Sequence, residues 1–167
     1  MVDEHSLLPS EDIKELQLQE CYTGLPAETI VSLEQRAVTI NTLVSKASFE
    51  IGAELVAARE DYRHNKHGGF EGWIKQRLKW ESRQTAYNLI WRYEQFATVQ
   101  HIGQLDMILT AQYHLAAPSV PQGARDEALQ RAEAGEKITV KIAKEIIEAQ
   151  RAQLHAEEAE QQARAEK

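Results

Sequence analysis

The chain has 167 residues, 43% of them apolar, and 19 Lys and Arg against 26 Asp and Glu give a net charge of −7. That length predicts one domain, or one domain with tails. A mean hydropathy of −0.51 and no apolar run near the ~18 residues of a membrane span exclude a transmembrane reading. The single Cys21 excludes an internal disulfide framework and fits a reducing, cytoplasmic setting. Residues 1–10 are acidic and lack the apolar stretch of a signal peptide.

The charge is unevenly spread. Residues 1–34 hold one Lys against eight acidic residues, and residues 142–167 hold four basic and six acidic ones. Between them, residues 59–94 carry eight basic against five acidic residues. The acidic ends therefore hide a locally positive middle, which is what contact with phosphates requires.

In chain order, residues 1–26 read as an acidic segment with a short helical pattern at Ile13, Leu16 and Glu20. Thr23-Gly24-Leu25-Pro26 breaks it. A long helix is predicted over residues 28–62. Ile30, Leu33, Ala37, Ile40, Val44, Ala47 and Ile51 follow one another in alternating steps of three and four, a heptad stripe. Val38, Leu43, Leu55 and Val56 make a second apolar edge. Two readings stay open: both stripes are the core of one chain, or the first is the seam of a homodimer. Gly52 inside this helix is unfavourable by up to ~1 kcal/mol relative to Ala, which predicts another element packed closely against it.

The loop at residues 63–69 contains His64 and His67 but no third ligand, so it reads as a solvated basic loop. No metal or cofactor is expected. Gly68-Gly69 ends the long helix and permits positive φ.

Residues 70–96, FEGWIKQRLKWESRQTAYNLIWRYEQF, carry the functional signal. Phe70, Trp73, Ile74 and Leu78 share one face of a first helix. A four-residue turn, Lys79-Trp80-Glu81-Ser82, leads to a second helix that buries Ala86, Leu89, Ile90, Tyr93 and Phe96. Ser82 is the N-cap, its hydroxyl accepting from the next turn's free amides. This is the layout of a helix-turn-helix that binds duplex DNA. The opposite face shows Arg83, Gln84, Tyr87, Asn88 and Trp91, with Arg92 at its edge. Arg bonds guanine bidentately, and Gln or Asn does the same to adenine. Lys79 and Thr85 suit phosphates. The rival reading takes Tyr87 and Trp91 as exposed aromatics of a protein-binding face.

Downstream, a short helix is predicted through Ala111, Tyr113, Leu115 and Ala116. Another runs over residues 122–134 with Ala124, Ala128, Leu129 and Ala132 inward and Gly135 as C-cap. Thr139 caps a last helix over residues 140–164, docked by Ile142, Ala143, Ile146 and Ile147. Beyond Gln150 it is charged and has little to bury. No nucleophile elbow, phosphate loop or paired carboxylates appear, so no enzymatic role is expected.

Three motifs in order carry a family resemblance. They are Ile51-Gly52-Ala53-Glu54-Leu55; His67-Gly68-Gly69-Phe70-Glu71-Gly72-Trp73-Ile74; and residues 82–96 with Ser82, Arg83, Thr85 and Ala86 in the recognition-helix pattern. Trp91 departs from that pattern. Residues 49–147 thus resemble a phage- and plasmid-borne family of small bacterial helix-turn-helix proteins. The block from Leu115 to Pro121, with Ala124-Arg125 and Gly135 to Thr139, is similar to the region after the helix-turn-helix in plasmid partition and repressor proteins. The resemblance implies sequence-specific DNA binding in the regulation or maintenance of mobile DNA.

The expectation is an all-α, multi-helix bundle with long N- and C-terminal helices around a helix-turn-helix. Residues 1–26 form an acidic segment, 27–148 the domain, and 149–167 a charged, fraying helix. Its partners would be duplex DNA and a second copy along the heptad stripe. The alternative is a helical protein-interaction module such as a phage-encoded inhibitor or adaptor.

Overall fold

A computed structural model describes residues 20–63, 69–99 and 101–165. The helical pattern expected around Ile13 and Leu16, and the His64–His67 loop, lie outside these residues. Among the described residues the chain is all-α, with no strand and one isolated parallel bridge between Met107 and Ile138. The helices are α1 (Ala27–Arg63), α2 (Phe70–Trp73, widening into a π turn over Ile74–Leu78), α3 (Arg83–Phe96), α4 (Leu109–Ala116), α5 (Gln122–Glu133) and α6 (Val140–Ala165). Contacts divide the chain into two units, residues 1–44 and 45–167. The division falls inside α1.

In the first unit a 3-10 turn, Glu20–Tyr22, precedes α1. Gly24 has φ +78°, a left-handed turn that Gly adopts without a Cβ penalty. Pro26 then starts the helix, its carbonyl accepting the Thr29 and Ile30 amides at 3.0 and 3.1 Å. The Tyr22 hydroxyl donates to the Glu34 carboxylate, which lays the preceding chain along the first turns of α1. That hydrogen bond pushes the Tyr22 pKa up to about 12. Ile30 is fully buried. It therefore leaves the heptad stripe, whose other large members Leu33, Ile40, Val44 and Ile51 stay exposed. The reading of both stripes as single-chain core fails over Leu33–Val44, where Val38 and Leu43 are also exposed.

The second unit holds two apolar clusters. Leu55, Phe70, Ile74, Ala86, Leu89 and Ile90 join α1, α2 and α3. Phe96, Ile102, Met107 and residues of α4, α5 and α6 form the other, with Ala111, Leu115, Ala124, Ala128, Ile138, Ala143 and Ile146 at its centre. Here the expected caps are found. Gly135 has φ +89° at the end of α5, and Thr139 Oγ1 accepts the Ile142 amide at 3.3 Å at the start of α6. Beyond Gln150, α6 runs on as an exposed helix to Ala165.

Two glycines are explained by space. A Cβ on Gly52 would stand 2.7 Å from the Leu89 carbonyl oxygen and 2.8 Å from Tyr93 Cβ. The helix α1 thus approaches α3 through a missing side chain. Gly69 has φ −130°, so positive φ is not its reason; a Cβ there would stand 2.4 Å from the Tyr62 ring.

Gly52→Ala should therefore destabilise the protein. Ala gains up to ~1 kcal/mol in helix propensity, but the clash is with backbone, and overpacking costs about 1–3 kcal/mol. Urea denaturation should show a net loss of about 1–2 kcal/mol. A gain would mean that α1 and α3 do not approach this closely.

Candidate nucleic-acid interface

The site is built from the turn between α2 and α3. Its first residue, Lys79, closes α2 in the left-handed conformation, φ 58° and ψ 29°. Trp80 anchors the turn in the α1–α2–α3 cluster. Ser82 is extended, and its Oγ accepts the Gln84 amide at 3.2 Å. The first turn of α3 contains no acidic residue. Glu81 precedes the cap and, with Glu71, lines the groove beside it, so two carboxylates already stand near the positive end of the helix dipole.

Lys79, Ser82, Arg83, Gln84 and Thr85 are exposed together on the turn and the amino end of α3. Lys75 and Arg77 on α2 are exposed as well. The Gln84 side-chain amide donates to Asn88 Oδ1 at 2.7 Å. This bond holds the two amides in one orientation and leaves an acceptor on Gln84 and donors on Asn88 for a further partner. An open groove of about 550 Å³ runs beside them, lined by Glu71, Lys75, Trp80, Ser82 and Arg83 among others.

Glu71 is the residue that sequence reasoning missed. Arg83 Nη1 donates to both of its carboxylate oxygens at 3.2 Å, and the Tyr87 hydroxyl lies 3.5 Å from Oε1. The Arg83 and Glu71 side chains are 71% and 52% exposed, so this pair is weak and exchangeable. The signal was present in the sequence only as an acidic residue twelve positions earlier, on another helix.

Two expected features are corrected. Tyr87 and Trp91 are half-buried, with Tyr87 edge-on to Phe70 and 5.7 Å from the Trp91 ring centroid. Trp91 packs against both apolar clusters. The exposed aromatic pair therefore does not exist. Arg92, placed at the edge of the DNA-facing side, is fully buried one turn beyond Asn88, where α3 packs into the interior. Its Nε donates to Gln112 Oε1 at 2.7 Å, Nη2 to Ser45 Oγ at 2.8 Å and Nη1 to the Ser45 carbonyl at 3.3 Å. Its guanidinium carbon stands 3.8 Å from the centre of the Phe49 ring. Burial lowers its pKa to about 10, against an opposing influence of Tyr113, so it remains a cation at neutral pH. Its spacing from Leu89 and Phe96, three and four residues, was the available signal for burial.

Among the described residues no cluster of His, Cys, Asp or Glu could hold a metal ion, and no helix is long and apolar enough to cross a membrane. Comparison with protein-family models, curated proteins and solved structures finds no match for this chain.

Arg92→Met should cost about 2–4 kcal/mol, because Gln112 Oε1 and the Ser45 carbonyl lose their donor. Arg83→Met on the exposed side should change stability by no more than about 0.5 kcal/mol. Equal losses in denaturant melts would contradict the placement of Arg92. Lys79→Gly should act in the opposite sense. Left-handed backbone costs a non-Gly residue roughly 1–2 kcal/mol, so the variant should melt higher despite the lost Lys. An unchanged or lower Tm would show that Lys79 is held by contacts that offset its strain.

Proposed function

We propose that this chain binds duplex DNA in a sequence-specific manner through the amino half of α3, acting as a regulator or accessory factor of mobile DNA. One observation carries the reading. The Ser82-capped amino end of α3 carries exposed Arg83, Gln84 and Thr85 and half-buried Asn88, with Lys79 exposed in the turn and Lys75 and Arg77 exposed on α2. Side chains at that end of a recognition helix reach base edges first. Gln84 and Asn88, linked to each other, suit adenine; Arg83 suits guanine; Ser82, Thr85 and Lys79 suit phosphates. The order of motifs along residues 49–147 supports a phage or plasmid setting. Half-burial of Tyr87 and Trp91 leaves less open aromatic surface for protein docking at α3, which favours the DNA reading.

The test is fluorescence anisotropy or mobility shift on fragmented genomic DNA, followed by the selected site, at two salt concentrations. Arg83→Ala, Gln84→Ala and Asn88→Ala should each lose about 1–3 kcal/mol on the specific site. Non-specific binding should change much less for Gln84 and Asn88. Glu71→Gln frees Arg83 and should raise affinity several-fold, more at low salt. Absence of binding by the unaltered chain at low salt would end this reading.

A further inference from the structure

Six of the eight large apolar side chains left exposed among the described residues lie on one helix, α1: Leu33, Val38, Ile40, Leu43, Val44 and Ile51. They are 39–65% exposed, where a lone amphipathic helix would present polar residues. In the second unit, an open groove of about 550 Å³ is lined by Ile51, Leu55, Trp73, Leu78 and Trp80, with Glu50 and Glu54 beside them. It offers apolar walls and an acidic margin. An exposed patch of this kind marks an interaction site.

We propose that a second copy of this chain covers both surfaces, with the two α1 helices antiparallel. The stretch Leu33–Val44 of one protomer then lies against Ile40–Ile51 of the other. Leu33 enters the groove beside the partner's Ile51, Ala37 faces the partner's Ala47, Ile40 packs on the partner's Val44, and Leu43 meets its own counterpart near the two-fold axis. The spacing of three and four residues along this stretch is the spacing of an interdigitating helix seam.

Charge chooses the direction. In the antiparallel register, Arg36 and the partner's Glu50 flank the same edge of the seam within one turn of each other, and the two-fold axis repeats the pair. Both residues are exposed in the single chain, where Glu50 makes only a weak 3.9 Å ion pair with Lys46 that the partner's Arg36 would join or replace. A parallel register would set Arg36 beside the partner's Asn41 and Glu50 beside the partner's Leu55, with no charge match. The seam also has natural ends. Ile30, the next apolar residue towards the amino end, is buried within its own chain, and the next position beyond Ile51 is Glu54. The seam from Leu33 to Ile51 is about 27 Å long at a rise of ~1.5 Å per residue. This interface does not depend on the DNA reading.

Sedimentation velocity of the full chain at micromolar concentration tests it. The unaltered chain should sediment as a dimer. Arg36→Glu or Glu50→Arg alone should weaken the dimer about tenfold, with the effect shrinking as salt rises. The double exchange Arg36→Glu with Glu50→Arg should restore it. Ile40→Glu should give helical monomers that melt cooperatively. A monomeric unaltered chain would overturn the proposal. So would single charge reversals without effect, or a double exchange that fails to rescue. Unfolding of Ile40→Glu, with an unaltered charge-pair series, would place the stripe in the core of one chain.

Discussion

Arg92 sits inside the second unit as a cation bonded only to neutral groups among the described residues. Taking a guanidinium out of water costs several kcal/mol. Three hydrogen bonds to Gln112 and Ser45 and the face of Phe49 offset that cost. The network joins three helices, so the position of each is tied to the others: Ser45 and Phe49 on α1, Arg92 on α3, Gln112 on α4. Gln112 passes the constraint on by donating to the Met107 carbonyl at 2.8 Å. Met107 pairs with Ile138, the residue just before the cap of α6. Apolar ridges tolerate repacking. Directional bonds to a buried cation do not, because a one-residue shift leaves donors unmatched. The inner side of α3 is thereby fixed, and its outer, amino-terminal side is held in place without using its own side chains.

Small residues set the distances around that network. Gly52 lets α1 meet the backbone of α3 at Leu89. Ala86 is fully buried in the cluster shared by α1, α2 and α3. On α5, Ala124, Ala128 and Ala132 recur every four residues and are buried against the second cluster. Arg125 on the same helix turns back, donating to the carbonyls of Leu115 and Val120 at 3.2 and 3.0 Å. It satisfies one carbonyl that the carboxyl end of α4 leaves open and one in the connection that follows. The fold thus uses two buried arginines differently, one as a hub between helices and one as a cap.

What the sequence made legible was local. Pro26, Ser82, Gly135 and Thr139 mark helix ends because each solves a backbone problem that depends on neighbours a few residues away. The inward faces of α2, α5 and α6 followed from spacing alone. What stayed hidden was non-local. Periodicity places Arg92 on a buried face, but charge argues for solvent, and only Ser45, Phe49 and Gln112, twenty to forty-seven positions away, resolve the conflict. Glu71 was invisible as a partner of Arg83 for the same reason. The heptad stripe on α1 shows a further limit: spacing reports that a face is apolar, not which molecule covers it. Ile30 and Ile40 look alike in the sequence, yet one is buried and the other is 58% exposed.

The pair between Arg83 and Glu71 bears on how a protein of net charge −7 could read a base and ignore most phosphates. An exposed ion pair is worth about 0–1 kcal/mol. Exchanging the Glu71 carboxylate for a single phosphate replaces one anionic acceptor by another, so the gain is close to zero. Exchanging it for guanine in the bidentate geometry offers about 1–3 kcal/mol of discrimination. Glu71 therefore subtracts nearly all of what Arg83 would gain from any DNA backbone, and only part of what it gains from its base. On the DNA-binding reading, the carboxylate acts as an internal competitor. It lowers binding by the same free energy everywhere, so a contact worth no more than the pair gains nothing while the bidentate base contact keeps a surplus, and it does so from a neighbouring helix whose own position is fixed by the cluster of Phe70, Ile74 and Ile90.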